Sequence, residues 1–150
     1  MILAPTLNGG LKLVPEEDQD WQVLLEIAAD GGDGLARQFG DLMDEDAMWE
    51  DIVVPELQAE FSEQRRHVLE IIRAAQASEN QEVIIEPKDV DLWYGALNQA
   101  RLSLESKYQF GPREESDPDD FEDPRMRSAF LRDEFYLTIQ SLILKYIIPD

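Results

Sequence analysis

The stretch from Phe135 to Ile148 constrains the fold more than any other part of the chain. Ten of its fourteen residues are apolar, and at about 100° per residue they wrap nearly the whole circumference of a helix. Such a helix has to be surrounded. It either runs through the middle of a helical bundle, which is the preferred arrangement, or turns one face to a second copy of the chain across a two-fold axis, giving a monomer or a homodimer through the C-terminal helix. The segment holds Thr138, Gln140, Ser141 and Lys145 and falls short of the roughly 20 residues a bilayer span requires. No membrane association is expected.

Helical periodicity governs most of the remaining length. Trp21, Leu24, Leu25 and Ala28 recur at helical spacing after Pro15, and the glycines of "DGGDG" end the run, placing a first helix at 16 to 29. A short helix from Leu35 to Met43 and an acidic connection, "DEDAMWED", come next. Pro55 opens a long helix to about Ala77, with Leu57, Phe61, Val68, Ile72 and Ala75 along one side. Another begins near Asp89, and the last runs from about Arg125 to Ile148. Two short runs, "LKLV" at 11 to 14 and "EVIIEP" at 82 to 87, have strand character. The expected fold is mainly α, a four- or five-helix bundle with a small two-stranded β-ribbon packed on it, in a single domain over residues 1 to 150.

Charge and composition exclude several classes of function. The chain carries a net charge of −20, distributed as −13 over residues 1 to 60 (15 acids, two bases) and −7 over residues 61 to 150 (18 acids, 11 bases). Phosphate backbones would be repelled, so nucleic acid is not expected, and any charged protein partner is expected to be basic. The absence of cysteine removes thiolate zinc sites, thiol nucleophiles and disulfide frameworks. No Lys or Arg precedes the short apolar patch of "MILAPTLNGG", which therefore does not read as a signal peptide, and the expected location is cytoplasmic.

Reaction motifs are sought and mostly rejected. The glycines around Gly32 and Gly34 lack the third glycine of a dinucleotide loop, because Arg37 stands there, and they follow a helix rather than a strand. The acidic "DPDDFED" lacks the central Gly and late Glu of a calcium loop. His67, the single histidine, has Gln64 rather than Glu three residues before it, which rules out a di-iron pair. It is read as a boundary histidine paired with Glu63 one turn earlier. No metal or cofactor is expected. Residues 110 to 125, with three prolines and seven acids, make an unusually long connection. Its acids from Glu114 to Asp123 are expected to hold Arg125, Arg127 and Arg132 at the start of the last helix.

The helix "LWYGALNQARLSLESKYQ" carries the candidate binding residues. Trp93, Leu97, Ala100, Leu104 and Tyr108 form an apolar stripe. Arg101 lies about 60° from its centre, and Tyr94, Glu105 and Asn98 about 80 to 120° away on the same side. These four form a polar seam. It is read first as a half-buried network fixing helix register, with Glu105 the nearest acid to Arg101, and second as a ligand site.

"W" and "ALNQARLSL" in this helix, "YLTIQSLI" in the last one, the opening strand and helix, and "QFGDLMDEDAMWEDIVVPEL" together resemble an uncharacterised, mainly helical bacterial domain-of-unknown-function family seen mostly in actinobacterial chains. Where that family tends to have Gly after its "RLxL" pattern, this chain has Glu105. The resemblance implies a mainly helical fold and assigns no catalytic residues. The favoured function is a non-enzymatic cytoplasmic binding or adaptor protein, since no nucleophile, base and orienting group fall together. The alternative is an enzyme using a carboxylate pair in an acidic cleft, which needs neither Cys nor His.

Overall fold

The computed structural model describes residues 1–32, 34–36, 38, 54–111 and 118–147. Among them the chain forms three strands and four helices: β1 (Ile2–Pro5), β2 (Leu11–Val14), α1 (Asp18–Gly31), α2 (Val54–Ala77), β3 (Val83–Ile85), α3 (Val90–Tyr108) and α4 (Pro124–Tyr146). Single 3-10 turns at Pro87–Asp89 and Pro118–Asp120 precede α3 and α4. The mainly α expectation holds. Most of the expected helix from Leu35 to Met43, and all of the acidic stretch 44 to 51, lie outside the described residues; Leu35 and Ala36 are buried.

The sheet is larger than a ribbon. β2 pairs antiparallel with β3, as expected, in the register Leu11 to Ile85 and Leu13 to Val83. Its other edge pairs antiparallel with β1, Ile2 to Val14 through Pro5 to Leu11, so the expected two-stranded ribbon is a three-stranded sheet in the order β1-β2-β3. Pro5 hides this strand in the sequence. Beyond it the Thr6 N–H donates to the Gly10 carbonyl at 2.9 Å, and ladder alternation then turns the Pro5 nitrogen away from β2, where no donor is needed. Gly9, at φ +85°, makes the connecting turn.

One sheet face is the floor of the core. Leu11, Leu13, Val83 and Ile85 are fully buried and meet Trp21, Leu24 and Ile27 of α1, Val68 and Ile72 of α2, and the apolar stripe of α3. Helix starts follow local chemistry. At α1 the Asp20 carboxylate accepts from the Glu16 and Glu17 amides at 2.9 and 3.3 Å, satisfying donors that a first turn leaves open. At α4, Asp123 accepts from the Arg125 amide at 2.9 Å, with Pro124 in the first turn.

The middle of the bundle belongs to α3, not to the C-terminal helix. α3 packs against α1, α2 and α4, burying Trp93, Ala96, Leu97, Gln99, Ala100 and Leu104. α4 packs mainly on α3. It buries Ala129, Phe130, Asp133, Tyr136, Ile139, Gln140 and Ile143, while Leu131 and Leu144 are each 51% exposed on its other sides. The apolar wrap of α4 therefore covers both a core face and an outward face.

Candidate functional site

The four seam residues do not converge. Asn98 and Glu105 are exposed, Tyr94 is half-buried against the core, and Arg101 alone turns inward to α4. Its Nη1 donates to Gln140 Oε1 at 2.8 Å, and its Nε donates to Asp133 Oδ1 at 3.3 Å. Asp133 and Gln140 are 1% and 2% exposed. Glu105, the acid nearest in sequence, instead accepts from the Gly111 amide at 3.4 Å. Sequence reasoning missed both partners, although a signal existed: Asp133 and Gln140 share the spacing of Ala129, Tyr136 and Ile143, the buried face of α4.

A second polar junction joins α1 to α4. Arg132 Nε and Nη2 donate to the two oxygens of Asp30 at 2.8 and 3.0 Å, and the Tyr136 hydroxyl donates to Asp30 Oδ2 at 2.6 Å. Planar guanidinium and carboxylate meet here at two points, the strongest form such a pair takes. Burial raises the Tyr136 phenol, and the adjacent Asp30 charge raises it further, so the hydroxyl stays protonated as a donor. Hydrogen bonding to Asp30 likewise raises Arg132. Close by, Ser103 Oγ donates to the Gly31 carbonyl at 2.8 Å, meeting an acceptor left open at the end of α1. A third junction ties α3 to α2: buried Gln99 donates through Nε2 to Gln64 Oε1 at 2.8 Å and to the Phe61 carbonyl at 3.2 Å.

Other sequence expectations change partners. Glu63 pairs with Arg66 at 2.6 Å rather than with His67, and the Arg66 hydrogen bond holds the Glu63 carboxyl below its usual range. His67 Nε2 faces Asp89 Oδ1 at 3.6 Å. Arg132 finds its acid on α1, not in the connection before α4, and Arg127 Nη2 donates to the Phe121 backbone carbonyl at 2.8 Å. In the described part of that connection Phe121 packs among rings, 5.1 Å from Phe130 and 5.9 Å from Phe110, centroid to centroid.

Three surface hollows bear on function. A cleft of about 610 Å³ lies between β1, α1 and the first half of α4, with Leu3, Val23, Leu131 and Phe135 on its walls and, among the described residues, Asp20 as its one acid. A polar hollow of about 300 Å³ at the end of α1 is bordered by Ser103, Lys107, Tyr108 and Arg132. A groove of about 350 Å³ runs between α2 and β3, lined by Ile71, Ala74 and Ile84 and by the acids Glu82, Glu86 and Asp89.

Chemically, the buried ionisable groups act as fasteners. Asp30 and Arg132 bind each other, Arg101 binds Asp133, and each pair joins two helices. This is a small helical domain with an antiparallel three-stranded sheet, tied together by polar inter-helix junctions and open at an apolar cleft. Residues 10–143 match the family model described as Domain of unknown function (DUF2017), and the chain belongs to that family. No curated protein and no solved structure matches it. Among the described residues no helix is long and apolar enough to cross a membrane.

Proposed function

We propose that this chain is a non-enzymatic, protein-binding adaptor that works in the cytoplasm as one domain and docks the apolar side chains of a basic protein partner in the cleft between β1, α1 and α4. The observation that carries this reading is Leu131, a large apolar side chain 51% exposed on the wall of that cleft. With Leu3, Val23 and Phe135 it forms a contiguous apolar surface bordered by Arg127, Ser128 and Gln19, the arrangement that marks contact surfaces. A net charge of −20 favours a basic partner and opposes a second copy, so the chain is a monomer on this reading. A carboxylate-pair enzyme needs two acids with opposed titration. The cleft has Asp20, whose carboxyl is held low by the Glu16 amide, the reverse of what a general acid requires.

Affinity capture with the wild-type chain and with Leu131→Glu tests the proposal. A single basic protein should be recovered in stoichiometric amount by the wild type and reduced at least tenfold by the variant, whose circular dichroism should be unchanged. Equal recovery by both chains would remove the cleft from consideration, and a concentration-dependent dimer mass in light scattering would reassign it to self-association.

A further inference from the structure

The two edges of the sheet are treated differently, and the difference points to a second contact surface. β1 carries Pro5 on its outer side, and a ring nitrogen there offers no donor to an incoming strand. β3 has no such guard. Among the described residues the ladder fixes which of its backbone groups are open. Thr6 bonds to Gly10 across the hairpin, so Lys12 of β2 bonds toward β1, and Leu11 and Leu13 bond toward β3. Their partners Ile85 and Val83 are thereby engaged, which leaves the Ile84 N–H and C=O facing away from β2. In the strand order β3 is an outer strand.

Beside this edge runs the groove against α2, with an apolar wall from Ile71 and Ala74. Glu82 and Glu86 flank β3 on either side, and with its extended geometry continued one residue each way they share the face of Ile84. Their present counter-ions are surface pairs: Lys12 stands 3.9 Å from Glu82, and Lys88, 76% exposed, 3.2 Å from Glu86. Such pairs hold their partners weakly.

We propose that β3 binds an extended, basic segment of a partner protein by antiparallel strand addition, with Lys or Arg opposite Glu82 and Glu86, a β-branched residue opposite Ile84, and apolar residues between them facing Ile71 and Ala74. Charge selects this occupant over a second copy. Two β3 strands paired antiparallel about Ile84 would set Glu82 opposite Glu86 twice, and directly opposed like charges are destabilising. A basic strand converts both positions into favourable cross-strand pairs. Main-chain hydrogen bonds supply affinity, and alternate side chains supply selectivity, as in other strand-addition contacts. The inference rests on the adaptor reading for its use in the cell: the cleft lies beside β1 and this groove beside β3, so the two surfaces flank opposite edges of the sheet and leave room for two partner segments.

The test is a titration of the isotopically labelled full chain with a peptide of the pattern Lys-Val-Thr-Val-Lys flanked by glycines, followed by amide NMR. Saturable shifts centred on the amides of residues 82 to 86 and on Ile71 and Ala74 are expected. N-methylation of the central peptide amides should weaken binding at least tenfold, and so should the Glu82→Lys, Glu86→Lys double variant. The same variant should bind the Glu-for-Lys peptide better than the wild type does. Shifts scattered over the acidic surface, or binding indifferent to N-methylation, would overturn strand addition. Loss of peptide binding with partner capture intact would sink the β3 edge alone; loss of capture with peptide binding intact would sink the cleft alone.

Discussion

Gly95 of α3 lies directly against the side-chain amide of Gln64 in α2, so that a Cβ at Gly95 would collide with it. The glycine sits inside a helix, where alanine is ordinarily better by about 1 kcal/mol. Here the order reverses, because Gln64 is fixed by its bond from Gln99 and has little room to retreat. Gly95→Ala should cost on the order of 1 to 3 kcal/mol in urea unfolding through overpacking. In a Gln64→Ala background the same substitution should become neutral or stabilising. A gain in the otherwise unaltered chain would show that α2 and α3 separate freely.

The junction of Asp30 with Arg132 and Tyr136 gives a stability prediction and a pH dependence. Asp30 is 8% exposed and Arg132 19%, and removing one member of such a pair leaves the other uncompensated. Asp30→Ala should therefore cost about 3 to 5 kcal/mol. Tyr136 titrates above its ordinary value in the folded chain, so its contribution is complete below about pH 10, the unfolded phenol value, and falls as pH rises past it. The unfolded chain then gives up a proton that the folded one keeps, a slope near 1.4 kcal/mol per pH unit. Tyr136→Phe should be less stable at pH 7 and lose less between pH 9 and 11. Parallel stability curves for the two chains over that interval would contradict the assignment.

Much of this architecture is legible in the sequence, and the exceptions have physical causes. Pro55, Pro87 and the glycines after Asp30 mark helix limits through backbone chemistry, which is local, and the helices end within about two residues of the expected positions. β1 escapes because a proline in an edge strand resembles a break. The identity of the central helix escapes for a different reason. Apolar content singles out α4, but centrality depends on close approach from several sides, and α3 supplies it with Gly95, Ala96 and Ala100, whose small side chains admit neighbours. At the candidate site, Arg101 can be picked out by its angle to the apolar stripe. Its partners Asp133 and Gln140 lie 32 and 39 residues on; nothing within α3 favours them over Glu105, and their one signal is the spacing they share with the buried face of α4.

Arg101 is 27% exposed and Asp133 1%, which makes their bond unequal: the guanidinium can reach solvent, whereas the carboxylate depends on what surrounds it. Arg101→Ala should cost on the order of 1 to 4 kcal/mol, because the buried Asp133 carboxylate loses a compensating cation and the packing of the arginine stem is lost. Arg101→Ala combined with Asp133→Leu should recover part of that loss, since an apolar pair can replace a buried ionic one. Glu105→Ala should change stability by less than about 0.5 kcal/mol, as surface substitutions do. Thermal and urea unfolding of the four chains separates these outcomes. A large effect at Glu105 would restore it as the partner of Arg101.

Phe121 decides how the end of the acidic connection is held to α4. If surface charge did the holding, salt would loosen it, because exposed pairs are screened over about 10 Å at 0.1 M ionic strength. At Phe121 itself the contacts are of another kind. The Phe121 ring sits among Phe110 and Phe130, Phe110 stacks on Tyr108 at 5.8 Å, and the Arg127 bond runs to a backbone carbonyl rather than to a carboxylate. Buried ring area is insensitive to moderate salt, and each aromatic pair adds about 0.5 to 1.5 kcal/mol beyond it. Tryptic cleavage after Arg125 and Arg127 should therefore proceed at nearly the same rate in 50 mM and 500 mM sodium chloride, measured against a salt-matched reference substrate. Phe121→Ala should accelerate it severalfold at both. A rate that climbs with salt in the wild type and is unchanged by Phe121→Ala would return the role to the acids.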